Sequence, residues 1–473
     1  MLFSSFVFLF CFLPFTLIVY FLLKTEYRNF FLLIMSLLFY AWGEPSFVFV
    51  MITSIFINYI VGVLLGKTLE RSQADKVKPS ISKVILAIGI IGNLALLFYF
   101  KYYTFLFVQI TDFLKLTGLA QADWVIKEVL LPIGISFFTF QGLSYLVDVY
   151  RGDAKPQYNF IKLALYIALF PQLIAGPIVR YSPIEEQLSS RSVNLESFSS
   201  GLKLFMVGLG KKVLVANTLG AVADQAFAYP VDSVGFWLAW LGIICYSFQI
   251  YFDFSGYSDM AIGLGRMFGF TFPLNFNYPY ISKSMTEFWR RWHISLSSWF
   301  RDYLYISLGG NRVSRQRMYM NLFIVFAATG IWHGANWTFL VWGLWHGLFL
   351  IIEKFLNVKN WQWNLWKTAV RRFYVIMVFI IGWVFFRSDT IGYAFQYLQA
   401  MFSFDMTVNW KLLEQLNLRT IFFLVVALFA STPIFKSLFE RKYLGELVAL
   451  FLFICSIVFL SDATYNPFLY FRF

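Results

Sequence analysis

The chain has 473 residues, 59% of them hydrophobic, 22% aromatic and only 13% charged, with a mean hydropathy of +0.67. That is far more apolar surface than one soluble core of this length needs, so the composition excludes an ordinary soluble domain and predicts an all-α polytopic membrane protein. The formal net charge of +13 is scattered between apolar runs, with no basic domain or arm. This argues against a nucleic-acid partner and fits cytoplasmic loops beside membrane lipid or an anionic ligand.

A hydrocarbon layer of about 30 Å needs roughly 20 apolar residues. Met1 to Leu23 carries no charge and has neither a basic leader nor an Ala-x-Ala cleavage site, so it is expected to be a retained first helix. Lys24 and Arg28 follow it, and the stretch from Lys67 to Lys83 holds five basic residues against two acidic ones. Both loops should face the cytoplasm, which puts Gly43-Glu44-Pro45 and the N-terminus outside. Ser46 to Gly66 and Ser233 to Phe252 are also free of charge, and shorter runs begin near Asn29, Val84, Val129, Leu163, Phe373, Thr420 and Leu447. With Lys203 to Ala223 and Met318 to Ile352, about 10 to 12 crossings plus re-entrant pieces are expected in the cell membrane. The longest polar intervals, Arg151 to Gln157, Tyr181 to Ser200 and Asn357 to Arg372, are loop-sized, so residues 1–473 read as one integral-membrane domain. Cys11, Cys245 and Cys455 stand singly in apolar runs, without metal-ligand spacing, and read as buried thiols.

Three regions rise above this background. In Gln249 to Phe270, Asp253 and Asp259 follow an uncharged span and need partners, for which Arg266, Arg290 and Arg301 are candidates. From Lys283 to Arg317, seven basic residues are interleaved with aromatics. There Arg290, His293, Ser297 and Arg301 form a stripe at helical spacing. The pattern predicts an amphipathic helix, either interfacial with its tryptophans at headgroup depth or with the His293 stripe turned to a polar cavity. Ser307-Leu308-Gly309-Gly310-Asn311 should end it.

The third region, Met318 to Ile352, is 35 residues without Lys, Arg, Asp or Glu, yet contains two of the chain's three histidines. A continuous helix of that length would measure about 52 Å, so it must tilt steeply or break. The expected break is Gly330 to Asn336, with Asn336 satisfying a freed backbone group. An imidazole at that depth normally faces protein or trapped water, which makes His333 a functional candidate. His346, about 220° around the helix and roughly 20 Å along it, reads as a structural residue that does not act with His333.

In this order, YFDFSGYSDMAIGLG, FWRRWHISLSSWFRDYLYISLGGNR and TGIWHGANWTFLVWGLWHG resemble the membrane-bound O-acyltransferase family. The resemblance is closest to its bacterial branch of alginate O-acetylation proteins and more distant to the teichoic acid D-alanyl transfer proteins. AWGEPSFVF near the start and NPFLYFRF at the end extend the resemblance over essentially the whole chain. It implies a ring of transmembrane helices around a thinned, funnel-like centre. His333 matches the family's catalytic histidine and His293 its second signature polar residue, which is Asn in many eukaryotic relatives. A neutral imidazole suits a general base that relieves an incoming hydroxyl of its proton, and burial favours the uncharged form. Trp332, Asn336, Arg290, Ser297 and Arg301 are candidates for binding or orienting substrate.

The resemblance also implies that Tyr470, in the terminal motif Phe468 to Phe473 of the tail segment 466–473, receives the acyl group transiently. A phenol is a better leaving group than an alkyl alcohol, so a tyrosyl ester stays activated. The alternative for this motif is an aromatic anchor at the interface. The implied donor is acetyl-CoA, with no permanently bound cofactor and no metal. The implied partners are an extracytoplasmic SGNH-type transferase or esterase and a polysaccharide acceptor such as alginate, peptidoglycan or cellulose. A secondary transporter and a non-catalytic scaffold of an exopolysaccharide complex are the rival readings.

Overall fold

A computed structural model describes residues 1–75, 80–119, 129–174, 176–230, 233–358, 365–403, 410–462, 465–467 and 469. The regular structure among them is helical throughout, as the apolar runs require when backbone polar groups must be satisfied without water. Among the described residues, six helices are long and apolar enough to cross a membrane, and a seventh if the bent pair Leu418–Ala430 and Pro433–Glu440 is one crossing. The expected count was higher. Other long helices, Phe236–Met267 among them, fall outside this set and carry polar side chains.

Chain contacts divide the protein into two compact units, Met1–Phe198 with Gly265–Phe272, and Ser199–Leu264 with Pro273–Phe473. In the first, a π-helical turn Phe8–Phe12 leads into helix Leu13–Leu22, and helix Thr25–Gly43 doubles back. The Met1 amine lies 3.5 Å from the Phe39 carbonyl, so the N-terminus and the Gly43-Glu44 turn share one end of this hairpin. Helices Val48–Asp75 and Ser80–Leu97 are tied by Asn58 and Asn93, whose buried amides donate to each other at 3.0 Å. Reciprocal bonding leaves neither amide to face hydrocarbon on its own.

The second unit begins at Ser199, within a helical run Leu195–Gly210, Lys211–Ala216 and Asn217–Ala228 whose middle piece is a π-helical turn. It packs on helix Phe236–Met267 along a seam of glycines. A Cβ on Gly208 would stand 2.5 Å from the Gly256 carbonyl, and one on Gly263 2.5 Å from the Gly201 carbonyl. Beside this close approach, side-chain ion pairs join the two segments, Lys211 to Asp259 and Lys212 to Asp253.

The amphipathic helix expected from Lys283 does not run through. It splits into Met285–Arg291 and Ile294–Trp299 at His293, which sits in the left-handed region at φ 43°. The split is held by a neighbouring loop: the Ile294 N–H donates to the Asn275 carbonyl at 2.9 Å, and the Asn277 N–H donates to the Arg291 carbonyl at 2.9 Å. Glu353, near the end of helix Trp337–Phe355, accepts from the N–H groups of Met285 and Thr286 and so fixes the start of the first piece. Gly309 and Gly310 end the region at φ 100° and 55°, as expected.

Helices Arg315–His333 and Trp337–Phe355 form the hairpin that the charge-free run predicts. The break falls at Gly334–Asn336, where Gly334 is extended and the Asn336 side chain accepts from the Thr338 N–H at 3.1 Å. The Asn336 amide also donates to the Asp389 carbonyl at 2.8 Å.

Candidate active site

His333 ends its helix as a buried residue, and the break that follows decides what its ring meets. Trp332, Trp342 and Phe386 surround it with ring centres 5.0, 4.9 and 5.2 Å away, all three edge-on. Trp332 also reaches His293, at 6.3 Å between ring centres, so one indole stands between the two imidazoles.

His293 is positioned more tightly. Its Nδ1 lies 3.1 Å from the Asn275 amide oxygen, which also accepts from the Ser295 N–H and hydroxyl, while the Asn275 amide donates to the Ser258 hydroxyl. An amide oxygen cannot donate, so Nδ1 carries the proton and the basic lone pair is on Nε2. The left-handed backbone at His293 costs about 1–2 kcal/mol, and strain of this kind persists where the surroundings over-determine it.

A narrow crevice opens at His333, lined also by Asp253, Trp292, Trp342, Trp383 and Leu469. Its space is about that of one water molecule. Asp253 and Asp259 find partners in the π-helical turn, not in the arginines expected. Lys212 lies 2.6 Å from Asp253 with both side chains buried, and Lys211 lies 2.6 Å from Asp259. The signal was available, because Lys211-Lys212 interrupts an otherwise uncharged run from 204 to 223. Two charges in such a span require counter-ions, and the only way to name them is to know which helices touch.

The same ion pair holds the end of the chain. The Lys212 ammonium donates to the Pro467 carbonyl, and the free oxygen of Asp253 accepts from the Leu469 N–H at 3.1 Å. The Asn217 amide donates to Asn466 at 3.1 Å, and Tyr465 donates to Asp224, which is also paired with Arg387 at 2.8 Å. Thus a buried charge network delivers Leu469 to the crevice beside His333. Tyr470, Phe468 and residues 471–473 lie outside the described residues; Tyr470 is the next residue along the chain from Leu469.

The other candidates separate. His293, Trp332 and His333 come together; Arg290 and Arg301 are exposed, and Arg301 is paired with Asp302 at 2.6 Å. The Ser297 hydroxyl donates to the Trp292 carbonyl and Asn336 serves as a helix cap, so neither lines the crevice. His346 is fully buried among Phe288, Trp289, Trp342 and Trp383, and both its ring nitrogens lack hydrogen-bond partners among the described residues. Asn275, Lys212 and Trp383 are members of the site that the sequence did not single out.

A helical, multi-pass membrane protein with one buried imidazole lining a narrow aromatic crevice, and a second imidazole across a single indole from it, fits the class of integral-membrane enzymes that couple proton movement to group transfer. The chain belongs to the membrane-bound O-acyltransferase family, which residues 151–387 match, a stretch that contains Asp253, His293 and His333. It is 41% identical over 503 residues to the probable alginate O-acetylase AlgI of Pseudomonas putida, covering 100% of both chains. It is 35% identical over 434 residues to the peptidoglycan O-acetyltransferase of Helicobacter pylori, covering 85% of this chain and 80% of that one. A more distant relative is the teichoic acid D-alanyltransferase of Streptococcus thermophilus, 32% identical over 48% of this chain and 58% of its own. The protein is therefore an acyltransferase, and the transporter and scaffold readings fall away.

Proposed function

We propose that the protein transfers acetyl groups from cytoplasmic acetyl-CoA to an extracytoplasmic polysaccharide, with His333 as general base and Tyr470 as a transient carrier. The observation that carries this reading is the shared crevice: His333 lines it, and so does Leu469, whose neighbour in the chain is Tyr470. Consecutive Cα atoms are about 3.8 Å apart, so in this reading the acceptor tyrosine is one residue beyond the point at which the tail is held. The names of the relatives, alginate O-acetylases and a peptidoglycan O-acetyltransferase, support acetyl as the group and a polymer as its destination.

In this mechanism His333 takes the phenolic proton as the Tyr470 oxygen attacks the thioester carbonyl. The tetrahedral intermediate collapses with cleavage of the C–S bond, and the departing thiolate takes the proton from the imidazolium. An extracytoplasmic SGNH-type partner then lifts the acetyl group from Tyr470 and delivers it to alginate, peptidoglycan or another polysaccharide. His293, with its Nε2 lone pair and its link through Trp332, orients the donor or relays a proton. The chain sits in the cytoplasmic membrane with its N-terminus outside and keeps no resident cofactor.

Inside-out vesicles given labelled acetyl-CoA test the scheme. Label should accumulate on the wild-type chain when the partner is withheld, vanish from Tyr470→Phe, and pass to external polymer when the partner is added. With a verified partner present, label on neither the chain nor the polymer would sink the proposal.

A further inference from the structure

The first unit holds a cleft of about 480 Å³, in the range of small-ligand sites, at the junction of helices Leu13–Leu22 and Thr25–Gly43 with the Ser189–Ser192 loop. Its centre is the Tyr20 ring. The guanidinium of Arg28 stands 4.9 Å from the ring centre and that of Arg191 5.8 Å, so two cations lie against one aromatic ring. No carboxylate lines the cleft, and neither guanidinium has an acidic partner among the described residues. The remaining lining is hydroxyl and amide, including Thr25, Asn29 and Ser190.

Arg191 is fixed in place. Its Nε donates to the Tyr20 hydroxyl at 3.2 Å and the Phe268 carbonyl at 3.1 Å, and its Nη1 donates to Asn29 at 2.7 Å and the Gln187 carbonyl at 3.2 Å. Every one of these acceptors is uncharged, so the hydrogen bonds orient the cation without neutralising it. Burial lowers the Arg191 pKa from its ordinary value, and the like charge of Arg28 pulls the same way against the Tyr20 hydroxyl. A guanidinium does not deprotonate near neutral pH, so the balance is restored by an anion. A third cation stands at the rim, where the Lys162 ammonium donates to the Ser189 hydroxyl at 3.0 Å.

The surroundings indicate where such an anion would come from. Leu22 is 80% exposed, and Phe21, Tyr27 and Phe30 are exposed on the same two helices. A cationic cleft bordered by outward apolar side chains matches an amphiphile, with its charge inside and its chains along the helices. We propose that this cleft binds a phosphate-bearing anion, with the headgroup of an anionic phospholipid as the source that the apolar border favours. Planar guanidinium groups suit phosphate oxygens because they offer paired N–H donors. The site is independent of acyl transfer: it lies in the first unit, and its readout is binding.

The test uses the full-length chain, stripped of lipid in a zwitterionic detergent, with the thermal unfolding midpoint followed while phosphatidylglycerol, phosphatidylcholine or inorganic phosphate is titrated in. Phosphatidylglycerol should raise the midpoint at lower concentration than phosphatidylcholine. Each of Arg28→Gln and Lys162→Gln should shift that titration to about fivefold higher concentration, given about 1 kcal/mol per basic residue at an anionic headgroup. Both residues are half-buried, so each variant is first checked for a monodisperse elution profile, and either one suffices if the other misfolds. Inorganic phosphate matching phosphatidylglycerol, with the same Arg28 dependence, would support the anion site and assign it to a soluble phosphate. Titrations indistinguishable between wild type and both variants would overturn it.

Discussion

His333 and His346 lie on one helical hairpin, in one charge-free run, 13 positions apart, and both are buried. Their surroundings differ because the backbone differs. His333 is the last residue before a break, so its ring reaches the crevice that the C-terminal tail enters. His346 is in mid-helix and is closed in by aromatic rings, with the Gly382 backbone so near that a Cβ there would stand 2.7 Å from its Nε2. An imidazole in a membrane is thus not a site by depth alone. What separates the two is a chain break that opens a path to it.

The largest expected effect breaks that comparison on the His333 side. Loss of a positioned base costs roughly 10²- to 10⁴-fold, so His333→Ala should lower acetyl transfer to that extent while the melting profile stays near wild type. Labelled acetyl-CoA in vesicles reads the first and detergent unfolding the second. Normal transfer by His333→Ala would remove this residue from the chemistry.

Lys212→Met tests the ion pair that delivers the tail. Removing one partner leaves Asp253 as an uncompensated buried charge, at a cost of roughly 3–5 kcal/mol in chemical unfolding. The double change Lys212→Met with Asp253→Leu should recover most of that stability, because no lone charge remains. Transfer should stay low in the double variant, since the Leu469 N–H and Pro467 carbonyl have lost their holds. A double variant with full activity would reduce the pair to a fold-stabilising role.

His293 sharpens the contrast through its backbone. Asn tolerates the left-handed region better than Ala does, so His293→Asn should fold like wild type and His293→Ala should be about 1 kcal/mol less stable. If His293→Asn keeps its transfer rate, the residue positions; if the rate falls in both, its Nε2 moves a proton. The smallest effect belongs to His346→Phe. Its ring nitrogens have no hydrogen-bond partners to lose among the described residues, so transfer should change by less than about twofold and stability hardly at all.

Much of the fold was legible because hydrocarbon imposes simple rules. Apolar runs gave helices, and the length of the 318–352 run required a break that falls at Gly334–Asn336. The double glycine at 309 and 310 ended its segment as positive φ allows. The stripe through Arg290, His293, Ser297 and Arg301 misled, since helical spacing assumes a continuous helix and backbone bonds from Asn275 and Asn277 interrupt this one. Periodicity reports on a single segment, and these bonds come from a loop earlier in the chain, at Asn275 and Asn277.

The amino-acid order alone determined that this is a helical membrane protein, that an imidazole lies deep in it, and which residue pattern marks an acyltransferase, because each follows from local composition, local geometry or a contiguous motif. Only the tertiary structure decided that Lys211 and Lys212 neutralise Asp259 and Asp253, that Asn275 sets the tautomer of His293, and that Leu469 reaches the crevice of His333. The physical reason is range. Charges and hydrogen-bond donors act over a few ångströms, and which of them fall within that distance depends on how the helices cross.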